Sequence, residues 1–257
     1  MINLEKSNFF IDPYTHCVFE NIFSENDYKD LVNNFPNIDE MVKMEDPKKN
    51  NKFNKYQLSS RNHHKKFRNF LKKNTFCKKI SDYLLSDSFL EYLIDVLKKN
   101  NIEFGIPIRK KSKTREIFDF LKKIIPGYFI KPKEILSVVL EFSSIPIVGG
   151  FLKPHSDGPS KLASIVIPIR DQQWDDKYKG GTNLLKPNDE NKTFNMVNKT
   201  LEFEETSILK TIEFKKNQML VFPKAYNSLH SVGPLKGSDE KYFRKSLTLN
   251  IERKIIL

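Results

Sequence analysis

From residue 135 onward the apolar residues come in runs too short for helices, and turn residues separate them. The runs are Ile135–Phe142, Ile147–Leu152, Leu162–Ile169, Thr182–Leu185, Ile208–Phe214, Met219–Phe222, Leu229–Val232 and Phe243–Ile251, with Gly149-Gly150, Gly180-Gly181 and Pro234 among the punctuation. Short runs of β-branched and large apolar residues between turns are the pattern of strands. Eight of them within about 120 residues predict a double-sheet jelly roll. Before residue 130 the pattern differs. Phe9–Phe23 reads as one opening strand or a pair. Ser24 then offers an N-cap, followed by Tyr28, Leu31, Val32 and Phe35 at helical spacing and by Pro36 as the stop. Residues 37–62 are polar and aperiodic, which predicts a mobile loop. Helical spacing returns over 65–100, with Phe67, Phe70 and Leu71 in one stripe and Phe89, Leu90, Leu93, Ile94 and Leu97 in a longer one. Ile102, Phe104, Ile106 and Ile108 alternate as a strand would. A further helix is expected around Ile117, Phe118, Leu121 and Ile124, ending at Pro126-Gly127. The expected class is therefore α+β, mainly β: a double-stranded β-helix (jelly roll) core over 131–257, buttressed by N-terminal strands and helices over 1–130, in one domain spanning 1–257.

The 257 residues, 39% hydrophobic with 21 Phe, are enough to bury a core without staples. The two cysteines, Cys17 and Cys77, form neither a disulfide framework nor a zinc pair, and a reducing cytoplasm is the expected setting. The opening residues lack the basic-then-apolar pattern of a signal peptide, and the longest aliphatic run, Ile135 to Leu140, is too short to span a bilayer. Of the formal charge of +12, a net +11 falls within 43–79, where thirteen lysines and arginines face only Glu45 and Asp46. Such a field attracts phosphate-bearing or nucleic-acid partners. The plainer reading is a solvated face in a chain rich in Lys and Asn throughout.

Five histidines are present, and one stands in Lys153-Pro154-His155-Ser156-Asp157-Gly158. In extended backbone, residues two apart point the same way, so His155 and Asp157 can present an imidazole and a carboxylate to one point. His230, in Leu229-His230-Ser231-Val232, can add a second imidazole if its strand faces the first across the barrel. Two histidines and one carboxylate on one face of a metal form the facial triad of non-haem iron oxygenases. His-x-Asp alone is a weak signal, and a polar strand-end turn explains it as well. Its company strengthens it. Arg244 and Ser246 alternate with apolar neighbours in Arg244-Lys245-Ser246-Leu247-Thr248 and can face the barrel interior. A buried guanidinium needs an anion, and its fork suits a carboxylate; a salt bridge to Glu141 is the structural alternative.

In family order the chain carries His155-Ser156-Asp157, the Lys161–Ile169 strand, Gly180-Gly181-Thr182-Asn183-Leu184, Met219-Leu220-Val221-Phe222-Pro223, His230-Ser231-Val232 and Arg244-x-Ser246-Leu247. It resembles the iron(II)/2-oxoglutarate dioxygenase superfamily, in its prolyl-4-hydroxylase-like branch. The match is good over 130–251, loose over the first forty residues and slight between. The resemblance implies Fe(II) bound by His155, Asp157 and His230, O2 and 2-oxoglutarate as co-substrates, and the far carboxylate of 2-oxoglutarate held by Arg244 with help from Ser246. It also implies hydroxylation of a small-molecule, sugar or peptidyl substrate: halogenating relatives replace the carboxylate ligand by a small residue, and Asp157 is present. Two departures stand out. Where many relatives carry a co-substrate tyrosine, this chain reads Leu140-Glu141-Phe142-Ser143-Ser144, which leaves the second 2-oxoglutarate contact unassigned. Lys236–Lys241 is a polar insert expected at the surface. Trp174 and Tyr178 lie in a loop that can rim the site mouth, where Trp174 can stack on a substrate ring or anchor the surface, and Tyr226 is a further candidate for lining it. Two other functions compete. A nucleic-acid demethylase would use the basic 43–79 segment, although aromatics do not interleave there as a stacking platform requires. A non-catalytic jelly-roll binding protein would leave the triad incidental.

Overall fold

A computed structural model describes residues 2–44, 54–106, 133–193 and 200–256. Its elements in chain order are β1 (Ser7–Phe10), β2 (His16–Glu20), α1 (Glu25–Asn33), β3 (Val42–Lys43), β4 (Tyr56–Ser59), α2 (His64–Lys73), α3 (Thr75–Leu84), α4 (Asp87–Lys98), β5 (Lys133–Pro146), β6 (Leu152–His155), β7 (Lys161–Ile169), β8 (Thr182–Pro187), β9 (Thr206–Ile212), β10 (Gln218–Pro223), β11 (Leu229–Val232) and β12 (Phe243–Ile256). The strands form two antiparallel sheets. The larger runs β1-β2-β10-β7-β12-β5-β4-β3, the smaller β6-β11-β8-β9. This is the jelly roll that the strand pattern predicts, with helices added at its N-terminal side.

Period two explains the layering. On β12, Leu247, Leu249 and Ile251 are fully buried against helix residues such as Phe70, Leu90 and Leu93. Their neighbours Arg244, Ser246, Thr248 and Glu252 instead line a cavity between the sheets. β5 and β7 divide the same way: Leu140, Phe142, Ile165 and Ile167 join the helical core, while Glu141, Ser143, Ser164 and Val166 line the cavity. Beside the cavity, whose wall Phe222 also joins, the two sheets close on each other through Val18, Leu220 and Phe222 of the large sheet against Leu184 and Ile212 of the small one.

Helices α1, α3 and α4 begin where polar side chains satisfy the exposed backbone donors. Ser24 Oγ accepts from the Asp27 amide, Asn74 Oδ1 from Cys77 and Ser86 Oγ from Phe89. The Asn74 and Ser86 caps divide the 65–100 stretch into three helices, α2 to α4. Three expectations need correction. Residues 37–62 are not merely a loop: β3 and β4 lie there, and β4 pairs with β5 from Tyr56↔Ser144 to Ser59↔Glu141. Ile147–Leu152 is a turn rather than a strand, with Gly149 at φ +63°, and the strand starts at Leu152. Ile102–Ile106 forms no regular element. The helix expected around Ile117–Ile124, like residues 45–53, lies outside the described residues.

Candidate active site

His155 ends β6 and His230 lies in β11, and the two residues are directly opposed in the ladder between these strands. The strands are thus neighbours in one sheet, so the two imidazoles meet without their strands having to face each other across the barrel. Direct opposition puts both imidazoles on the same face, 4.3 Å apart between ring centroids. Asp157 follows two residues beyond the end of β6. One ligand atom from each of His155, Asp157 and His230 lies within 4.8 Å of the others, and all three residues are buried. Each imidazole has its Nδ1 beside a carbonyl oxygen, Lys153 O at 2.8 Å and Ser228 O at 3.1 Å. A carbonyl only accepts, so Nδ1 carries the proton and Nε2 the lone pair, which is how a metal-ligating histidine is oriented.

The Asp157 carboxylate is tightly held. Oδ1 accepts from Lys161 Nζ at 2.7 Å and Oδ2 from Ser164 Oγ at 2.5 Å, while its backbone carbonyl accepts from Lys224 Nζ. Burial by itself would raise its pKa, yet the neighbouring positive charge, led by the Lys161 ammonium that also donates to it, outweighs burial and holds the carboxyl well below the usual carboxylate range. It is ionised at neutral pH, as a ligand to a divalent cation must be. Lys161 and Ser164 went unnoticed in the sequence. The available signal was their place: four residues past Asp157, and on the inward face of a predicted strand.

Arg244 lies in the same cavity and is 3% exposed. Its Nε donates to Gly180 O at 2.6 Å, Nη1 lies 3.5 Å from Ser246 Oγ, and the guanidinium sits 4.6 Å over the Phe214 ring. Among the described residues it has no carboxylate partner. Glu141, the structural alternative, instead meets Ser59 Oγ. Burial lowers the Arg244 pKa to about 9, which still leaves it charged at neutral pH. Lys245 points to the other side of the sheet, toward the Phe35 ring. The cavity, about 340 Å³, therefore joins three metal-type donors at one place to a buried cation with room for an anion at another.

No protein-family profile matches the sequence, and no curated protein matches it. Among solved structures, the chain is similar to a Pseudomonas putida prolyl-4-hydroxylase at 14% identity and TM-score 0.44, over 93% of this chain and 92% of that one. It is also similar to a Trichoplax adhaerens prolyl hydroxylase solved with a hypoxia inducible factor peptide, at 10% identity and TM-score 0.44, over 92% and 83%. A Phytophthora capsici prolyl 4-hydroxylase aligns at 13% identity and TM-score 0.47, over 92% and 58%. The chemistry of this chain rests on its own side chains.

The other candidates divide. His16 is buried against Phe10, and His63 and His64 lie at the start of α2, all outside the His155–Asp157–His230 cluster. Trp174 neither rims the mouth nor anchors the surface. It is 6% exposed and packs on Phe214, Tyr178 and Tyr242, behind the Gly180 carbonyl that Arg244 grips. Tyr226 is 51% exposed and is not part of the cavity wall. Lys236–Lys241 is largely at the surface, as expected. Sequence reasoning overlooked Tyr14, whose buried hydroxyl donates to Leu229 O beside His230. It also overlooked Lys55, Arg61 and Glu252 in the cavity wall.

Proposed function

We propose that this protein is an Fe(II)/2-oxoglutarate-dependent oxygenase, a dioxygenase that hydroxylates an unactivated C–H bond of a small-molecule, sugar or peptidyl (prolyl-like) substrate and releases succinate and CO2. One observation carries the reading: a buried His-Asp-His triad shares its cavity with a buried arginine that has no carboxylate partner among the described residues. His155, Asp157 and His230 would hold Fe(II) on one face and leave positions open on the other. When bound, the metal supplies oxygen activation coupled to decarboxylation of 2-oxoglutarate. The chain's own work is placement. Lys153 O and Ser228 O fix the imidazole tautomers, and Lys161 and Ser164 hold the Asp157 carboxylate ionised and oriented. Arg244, with Ser246, would take the far carboxylate of 2-oxoglutarate, a charge-assisted bond that fixes where its oxo-acid end falls relative to the triad. In this reading residues 1–130 support the catalytic core over 131–257.

The two thiols are in no disulfide, which supports a reducing, cytoplasmic setting, and no helix among the described residues is long and apolar enough to cross a membrane. The competing nucleic-acid demethylase reading draws on the exposed Lys65, Lys66, Arg68, Lys72 and Lys73 of α2. These residues are not part of the cavity wall. Anaerobic addition of Fe(II) and 2-oxoglutarate tests the proposal: a visible metal-to-ligand charge-transfer band is expected. His155→Ala, Asp157→Ala and His230→Ala should each abolish the band and 2-oxoglutarate decarboxylation while remaining folded, because ligands at one open site act as a unit. No band in the intact protein would favour a non-catalytic binding role.

A further inference from the structure

The cavity wall continues along β12, past the level of the triad, to Glu252 at the end remote from Arg244. Glu252 is 4% exposed and faces the cavity. It opposes Lys161 of β7, where the register shifts between Ile251 and Glu252. Such irregularities re-aim side chains and are frequent beside active sites. Lys161 in turn touches Asp157, so Glu252 flanks the metal-type donors. One carboxylate oxygen is taken: Arg61 pairs with Oε2, reaching in with a side chain that is 52% exposed. The other, Oε1, has no hydrogen-bond partner among the described residues. A desolvated carboxylate oxygen is costly to leave unmatched. A second acid, Glu141 on the neighbouring strand β5, turns into the same cavity, and its hydrogen bond to Ser59 is long, 3.4 Å.

The cavity thus differs at its two ends. At one, the buried Arg244 lacks a carboxylate partner among the described residues; at the other, Arg61 holds one oxygen of Glu252 and Oε1 is left without a donor. We propose, on the oxygenase reading above, that Glu252 docks the substrate and that the substrate is a small molecule bearing a protonated amine, whose N–H donates to Glu252 Oε1. A charged donor is favoured over a neutral one because it adds Coulomb attraction to the carboxylate, which is stronger in a buried site than in water.

The test separates this proposal from the reading it rests on. The anaerobic charge-transfer band reports Fe(II) and 2-oxoglutarate alone. Amine binding is measured separately, by calorimetric titration of the anaerobic loaded protein with L-lysine, L-ornithine, L-arginine, putrescine and agmatine. Each is compared with its N-acetylated counterpart. At least one free amine should bind, about tenfold or more tighter than its acetylated form. Glu252→Gln, checked for folding by its melting curve, should remove that preference. Arg253→Ala, which removes a side chain paired at the surface with Glu134, should leave it intact. A band without amine preference, or a preference that survives in Glu252→Gln, overturns the amine assignment. Amine binding at Glu252 without a band would leave this subsite standing and defeat the oxygenase reading instead.

Discussion

Arg244 is the residue whose placement demands most explanation. A guanidinium almost wholly removed from water, with a carbonyl and a hydroxyl as its polar contacts, is unfavourable unless a ligand completes it. Arg244→Ala should therefore cost about 2–5 kcal/mol of 2-oxoglutarate affinity, by analogy with truncated buried charge pairs. That is roughly 30- to several-thousand-fold in Kd. Ser246→Ala should cost about 1 kcal/mol, as for one modest hydrogen bond. Lys245→Ala should change nothing, since its side chain lies on the helix-covered face. Iron affinity without 2-oxoglutarate should survive all three. Titration of 2-oxoglutarate into each iron-loaded variant checks the set. A large loss at Lys245 with Arg244 near normal would refute the assigned roles.

At the scale of elements, the site depends on how loops are wedged against strands. The 170–179 connection folds back so that Trp174 is buried beside β8, and Gly180 passes directly beneath the indole. A Cβ at Gly180 would lie 2.5 Å from Trp174 Cζ2, and the ring is confined by Phe214, Tyr178 and Tyr242. Overpacking of this kind costs about 1–3 kcal/mol. For a chain of this size each kcal/mol lowers Tm by roughly 2–4 °C. Gly180→Ala should thus melt earlier, and it should also bind 2-oxoglutarate more weakly, because the Gly180 carbonyl is the acceptor for Arg244 Nε. Thermal melts with and without 2-oxoglutarate test both effects. A variant with unchanged Tm would show that Trp174 yields without cost.

Across the whole molecule, the layered core controls the two thiols. Cys17 on β2 and Cys77 on α3 are fully buried, and burial raises each pKa from 9.0 to about 12. Both should stay protonated at pH 8 and ignore thiol reagents until the protein unfolds. The same shift links stability to pH. Above about pH 9 the unfolded thiols ionise while the folded ones keep their protons, so the folded state binds more protons and stability falls as pH rises from 9 toward 12. Urea unfolding at pH 8 and pH 10.5, compared with a Cys17→Ala, Cys77→Ala double variant, should show a shallower alkaline loss in the variant. Equal losses would place the alkaline sensitivity elsewhere.

Much of this architecture is local and therefore legible along the chain. Period two on β12 divides Leu247, Leu249 and Ile251 from Arg244, Ser246 and Thr248, and the Ser24 cap with its apolar stripe marks α1. His-x-Asp and Arg-x-Ser are likewise readable as neighbours on one strand or at its end. Pairing between distant segments is not readable in this way. That His155 opposes His230 within one sheet follows from ladder register, and β4 forms in a polar stretch because β5 offers it an edge. Trp174 looks exposed in its polar loop, yet the loop folds it inward. Arg61 meets Glu252 across 191 positions of sequence. Periodicity is a property of each segment's own backbone. Register and cavity composition depend instead on which segments pack together, a balance of burial and hydrogen bonding that exists only once the two sheets and the helical layer have closed.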